Sequence, residues 1–281
     1  MRRFFLLLTL LLIFSCLAYS EPPKRVISLA PSITEILYAL GMEDRIVGVT
    51  NFCDYPPRAK DKPKIGGMSN PSVEAVVRLR PDIVILTVDG NPKEFERRIR
   101  SFGISTYVFK ARRLTELADE IRRLGEALGV SDRAEELAEE IESTIKRYSI
   151  RSTKERVSPY SLRKKAVFII WPEPLIVAGP ATAIDDTLRL LGWENIASDV
   201  KTRYPKYSIE ELLHRRPDVI LIGKGHIDMR EVSKGLLKKL HMLDAVKEGR
   251  VYFVSDALYR LGPRVLEGIE ELHRILNQAS R

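Results

Sequence analysis

Short apolar runs and longer amphipathic stretches alternate along this chain. Runs suited to strands occur at Arg25–Leu29, Ile46–Val49, Ile83–Leu86, Ser105–Phe109, Ala166–Ile170, Leu175–Ala178, Val219–Ile222 and Val251–Val254. A short run with little polar alternation suits a strand buried on both faces of a parallel sheet. Between them, apolar residues recur every three or four positions, the spacing of a helix with one buried face. Thr115–Leu128 carries Leu117, Ile121, Leu124 and Leu128 in that register, and Gly129 ends it. A second stretch, capped by Ser131 and running to about Tyr148, aligns Ala134, Leu137, Ala138, Ile141 and Ile145. Further helices are expected from Ser32 to Gly41 (with Ser32 and Glu35 as a capping box), from about Pro92 to Gly103, from about Ala183 to Leu191 and from Gly262 to Gln278. Alternating strands and helices predict an α/β fold with mainly parallel sheets.

One helix–strand unit occurs twice. Residues 72–86 and 208–222 share Ser, Glu, Arg, Pro and Asp in step, and seven further positions exchange one branched aliphatic for another. The offset of 136 residues is far longer than a solenoid or propeller repeat. In both copies a serine (Ser72, Ser208) is placed to cap a helix N-terminus, where a side-chain oxygen accepts an orphan backbone N–H. Glu74 and Glu210 follow where the helix dipole favours negative charge, and Pro81 and Pro217 stop the helix before the next strand. The expectation is two similar α/β lobes: residues 21–112 and residues 150–281, with a helical segment at 113–149 whose long helix connects them. Residues 150–164, polar and basic, read as a loop.

Residues 1–20 do not belong to either lobe. Arg2 and Arg3, an apolar run from Phe4 to Leu17 and an Ala-Tyr-Ser ending read as a secretory signal cleaved after Ser20. Cys16, in the context Ile-Phe-Ser-Cys, leaves open a lipid anchor instead. On either reading the mature protein works outside the cytoplasmic membrane, periplasmic or secreted across it. The whole chain has 46 basic and 38 acidic residues; without Arg2 and Arg3 it has 44 and 38, a formal charge of +6. No dense basic cluster with interleaved aromatics occurs, so nucleic acid is not an expected partner. Cys53 is the one thiol left after cleavage and is read as a small buried side chain.

The chemistry-bearing motifs of common enzymes are missing. There is no glycine-rich nucleotide loop, no Gly-x-Ser-x-Gly elbow, and no metal-ligand spacing among the four histidines. No cofactor and no resident metal are expected, and no enzymatic activity. In open α/β sheets ligands collect beyond the carboxyl ends of the strands. Those ends carry Ala30-Pro31-Ser32, Asn51-Phe52, Val88-Asp89-Gly90-Asn91, Trp171-Pro172, Lys224-Gly225-His226 and Asp256–Arg260. Phe52, Tyr55, Trp171, Tyr204 and Tyr259 fall in or near them, and aromatics from two facing lobes suit a large, flat or apolar ligand. Asp89, Asn91 and His226 are the polar candidates, and Arg203 or Arg260 is placed to meet an acidic ligand.

Three ordered motifs in the first lobe carry a resemblance: Arg-Val-Ile-Ser-Leu-Ala-Pro-Ser-Ile-Thr-Glu at 25–35, Val-Gly-Val-Thr-Asn-Phe-Cys-Asp-Tyr-Pro-Pro at 47–57, and Ile-Gly-Gly-Met-Ser-Asn-Pro-Ser-Val-Glu at 65–74. With Ser-Asp-Ala-Leu-Tyr-Arg-Leu-Gly-Pro-Arg at 255–264 they resemble periplasmic binding proteins for cobalamin and ferric siderophores. The resemblance implies two lobes on one long helix, a metal-chelate ligand between them, and an ABC permease as partner of a monomer. It implies ligand contacts at Phe52 and Tyr204, and permease docking through Glu74 and Glu210. The cobalamin branch carries tryptophans where this chain has Val88-Asp89 and Gly67-Met68, so a ferric siderophore, haem or a cobalamin-type corrinoid all stay open. The alternative is an enzyme on the same scaffold, such as a metal chelatase, with His226 as its histidine.

Overall fold

The computed structural model describes residues 21–155, 164–225 and 227–280. Residues 1–20, where a leader is expected, most of the stretch 150–164 expected as a loop, and His226 lie outside the described residues. The first lobe runs β1 (Val26–Ser28), α1 (Pro31–Ala39), β2 (Ile46–Val49), α2 (Val73–Arg78), β3 (Ile83–Thr87), α3 (Lys93–Ser101) and β4 (Ser105–Phe109). Its strands form one parallel sheet in the order β2-β1-β3-β4. Two helices follow, α4 (Leu117–Leu128) and α5 (Ser131–Glu155). The second lobe runs β5 (Lys165–Pro172), β6 (Leu175–Val177), α6 (Ala183–Leu190), β7 (Glu194–Asn195), α7 (Ile209–Arg215), β8 (Val219–Gly223), α8 (Met229–Lys239), α9 (Asp244–Lys247), β9 (Val251–Val254) and α10 (Val265–Gln278). Its sheet has the order β6-β5-β8-β9, with β7 also on β5; only the β5–β6 pair is antiparallel.

The repeat does the same structural work in both lobes. Ser72 Oγ accepts from Ala75 N at 3.1 Å, and Ser208 Oγ accepts from Glu211 N at 3.0 Å. The arginine before the repeated Pro-Asp adopts a left-handed backbone in each copy, φ +45° at Arg80 and +49° at Arg216. That turn points the aspartate at the start of the lobe's central strand. Asp82 accepts the backbone N–H groups of Lys24 and Arg25 at 2.7 and 2.8 Å, and Asp218 accepts that of Lys165 at 2.6 Å. The strands then alternate strictly between two buried faces. Ile83 and Ile85 of β3 face one cluster while Val84 and Leu86 face another, and Val219/Leu221 and Ile220/Ile222 of β8 do the same.

One of those clusters belongs to both lobes. It joins Ile33, Ile36 and Leu37 of α1, Leu124 and Leu128 of α4, Leu137 and Ile141 of α5, Phe168 of β5 and Ile269 of α10. An α4–α5 hairpin therefore ties the sheets together rather than hanging between them. The two helices meet closely at Gly125, where a Cβ would lie 2.1 Å from that of Ala134. Across the hairpin Arg122 binds Glu135 and Glu142 at 2.9 and 2.6 Å.

Some sequence expectations change. α1 starts at Pro31 with Ala30 as its N-cap and no side-chain cap, so Ser32 and Glu35 form no capping box. Proline's fixed φ suits the first helical turn, which moves the N-cap two residues earlier, from Ser32 to Ala30, and puts Glu35 inside the helix. α5 has 25 residues, about 37 Å at 1.5 Å per residue, and continues through positions 149–155, where a boundary and then a loop were expected. The second lobe does not mirror the first at its edge, because the β5–β6 hairpin and short β7 stand where β2 stands in the first.

Candidate functional site

Both sheets reverse their strand order at one point: between β1 and β3 in the first, and between β5 and β8 in the second. Loops leaving opposite sides of such a point diverge and open a crevice at the carboxyl ends of the strands. A cleft of about 200 Å³ lies there. Ser32 (after β1), Val88-Asp89-Gly90 (after β3) and Arg112 (after β4) come from the first lobe. Thr182 and Ile184, Arg203 and Tyr204, and Tyr259 and Leu261 come from the second.

The polar centre of this cleft is an ion cluster that crosses it. Both terminal guanidinium nitrogens of Arg203, Nη1 and Nη2, donate to the Asp89 carboxylate, and Arg112 Nε donates to Asp89 Oδ1 at 3.0 Å. Burial works against ionisation of Asp89, but the hydrogen bonds and charge of Arg203, then of Arg112, outweigh it and hold the carboxyl below its ordinary range. Opposite, the Tyr259 ring packs edge-on against Phe168 with centroids 6.2 Å apart, and its hydroxyl donates to the Lys224 carbonyl. Burial pushes that phenol up to about 12, so it stays neutral.

A second ion cluster seals the seam between the lobes. Arg260 is only 8% exposed and reaches Asp54 at 2.6 Å, Asp256 at 2.7 Å and Glu35 at 3.4 Å. Arg264 reaches Glu35 at 3.3 Å and Asp256 at 3.1 Å, and its guanidinium lies 4.4 Å from the centre of the Tyr55 ring. Glu35 is 3% exposed, and its Oε2 has no hydrogen-bond partner among the described residues. Burial raises this carboxyl to about 7 despite the opposing pull of Arg264 and Arg260. Between about pH 4.5 and 7 the folded form therefore keeps a proton that the unfolded form has lost, so stability falls as pH rises through that window. Urea unfolding should show wild type losing on the order of 3 kcal/mol over this range relative to Glu35→Gln. Parallel profiles for the two proteins would contradict this reading. Carboxyls held low, such as Glu135, Glu142 and Asp199, act below the window.

Of the residues marked by sequence, Asp89, Arg203, Tyr204 and Tyr259 line the cleft. Arg260 does not; its guanidinium is committed to the seam, because three carboxylates converge on it from both lobes. Asn91 is a strut: its amide donates to the carbonyls of Leu29 and Met68 and accepts from Thr87 N, tying the ends of β1 and β3 together. Phe52, Tyr55 and Trp171 are exposed at the lobe surfaces outside the cleft lining, and Tyr55 faces Arg264 of the seam. Glu74 and Glu210 are both exposed, in the first turns of α2 and α7. The backbone N–H of Glu74 and then the Ser72 hydroxyl (3.1 Å) lower the Glu74 pKa. Arg112, Met68 and Glu35 were missed by sequence reasoning. Cys53 is buried as expected; burial raises its thiol pKa, and Thr34 and Thr50 contact its sulfur at 3.0 and 3.1 Å.

Two α/β lobes on a long helix, with a cleft at their facing strand ends, define a two-lobed solute-binding architecture. Residues 26–258 match the periplasmic binding protein family, and the chain belongs to that family, whose members work outside the cytoplasmic membrane. Among the described residues no helix is long and apolar enough to cross a membrane. An uncharacterized ABC transporter substrate-binding lipoprotein of Bacillus subtilis is 33% identical over 258 residues, 90% of this chain and 79% of the relative. A vitamin B12-binding protein of Pectobacterium carotovorum is 34% identical over 222 residues, 79% of this chain and 78% of the relative. Among solved structures, the apo form of a periplasmic heme-binding protein from Roseiflexus superposes with a TM-score of 0.82 at 28% identity, covering 92% of this chain and 99% of that one.

Proposed function

We propose that this protein is the capture component of an ABC importer. It takes a metal chelate of the ferric siderophore, haem or cobalamin-type corrinoid kind into the inter-lobe cleft and delivers it to a membrane permease. The observation that carries this reading is the cleft at the strand ends of both lobes, walled by Tyr204, Tyr259 and Leu261 and crossed by Arg112 and Arg203. Glu74 and Glu210 stand exposed at equivalent repeat positions, where two separated carboxylates suit basic groups on a two-part permease. Binding through shape, aromatic surface and a few polar groups needs no catalytic step, and no observation favours the chelatase alternative. In a titration of the mature protein with haemin, cyanocobalamin, a ferric hydroxamate and a ferric catecholate, one ligand should quench tryptophan fluorescence saturably. Absence of saturable binding to all four would overturn the proposal.

A further inference from the structure

The ion cluster across the cleft has an unusual composition for a structural latch. Two guanidiniums, Arg112 from the first lobe and Arg203 from the second, converge on one carboxylate. Glu116 accepts the backbone N–H groups of Arg112 and Arg113 at 2.9 and 3.3 Å and holds that turn. Fork-like guanidinium donors aimed at one point from two sides make a receptor for anionic oxygens. The cluster is also open to water, with Arg112, Asp89 and Arg203 side chains 44%, 35% and 27% exposed. Ion pairs this exposed contribute only about 0–1 kcal/mol, so exchange of one carboxylate for another is easy.

Size and surroundings point the same way. The cleft of about 200 Å³ is smaller than the roughly 300–1,000 Å³ of pockets that enclose drug-sized ligands. Asp89 crosses it, so a large ligand displaces this contact on entry. Beside the guanidiniums lie Met68, Val88, Tyr204, Tyr259 and Leu261, an apolar and aromatic wall.

Building on the importer reading, we infer that Asp89 is an internal stand-in for the ligand's acidic edge. It holds Arg112 and Arg203 in their receptor geometry and yields them to a chelate that carries anionic oxygens beside an apolar body. Asp89 thereby acts as a built-in competitor, and ligand charge selects which chelates are retained.

The test compares dissociation constants of wild type, Asp89→Asn and Arg203→Gln. Haemin and a ferric catecholate serve as anionic probes; haemin dimethyl ester, which lacks the carboxylates, and cyanocobalamin, which has no net charge, serve as controls. Asp89→Asn should bind its anionic ligand roughly fivefold tighter, because the competing carboxylate is gone, with no change toward the uncharged probes. Arg203→Gln should weaken the anionic ligand and leave the uncharged probes unaffected. An equal change for ester and acid, an unchanged or weaker anionic ligand in Asp89→Asn, or wild-type binding of cyanocobalamin alone would overturn the inference while leaving the importer reading intact. Failure of every probe to bind wild type and Asp89→Asn would overturn both.

Discussion

Replacing Arg260 with alanine should lower the unfolding free energy by about 3–5 kcal/mol at pH 8. The guanidinium is almost fully buried and lies within ion-pair distance of Asp54, Asp256 and Glu35. Two of these carboxylates, Glu35 and Asp54, belong to the first lobe, whereas Arg260 and Asp256 belong to the second. Without Arg260, Arg264 alone faces the buried Glu35 and Asp256, and a charge buried without its partner is costlier than the intact pair is favourable. Denaturant unfolding is the check. A loss below about 1 kcal/mol would mean that water replaces the guanidinium and that the seam is held by its apolar core alone. The double replacement Glu35→Gln with Arg260→Ala should recover part of the loss, since one of the stranded acids is removed.

The second large effect is on transport. Glu74→Arg combined with Glu210→Arg should reduce uptake of the bound chelate to background and leave its dissociation constant unchanged. Both side chains are exposed, outside the cleft lining, and in the first turns of short helices that the serine caps also hold. Losing a favourable dipole interaction at each site is worth about 0.3–1 kcal/mol, too little to unfold either lobe. Reversing two charges at a docking surface, by contrast, opposes like charges on the partner and slows association. Weaker ligand binding in the double variant would count against a docking role, and so would normal uptake.

The parts of this fold legible in sequence are those that repeat one physical solution. Ser72 and Ser208 cap, Pro81 and Pro217 stop, and the aliphatic runs at 83–86 and 219–222 alternate between two buried faces, all at the same offset. What the repeated aspartate does was not legible, because its target is the start of a strand more than 50 residues earlier. Glu35 shows the same limit more sharply. Three positions after a serine near a helix start it reads as a local cap, yet its partner Arg260 is 225 residues away. Helix α8 went unassigned although Met229, Ser233 and Leu236 share a buried face, because Gly235 and the surrounding lysines mask the period. In the cleft, Asp89 and Tyr259 are marked by their places at strand ends, Tyr204 by the resemblance and its aromatic loop, and Arg203 by its charge. Arg112 gave no signal, since it sits in the basic run 110–113 between a strand and a helix and matches no periodic pattern. Arg260 sits in the seam for the complementary reason: an arginine after the last strand is equally suited to a ligand and to a buried acid, and the acids that reach it from the first lobe are more than 200 residues away.

Native mass spectrometry of the mature protein purified from its own source shows whether the chain carries a chelate. The expected spectrum shows one chain carrying the mass of a single metal chelate, released on denaturation and restored when the chelate is added back. A chain that carries no such mass, and gains none when haemin, cyanocobalamin, a ferric hydroxamate or a ferric catecholate is supplied, would contradict the account.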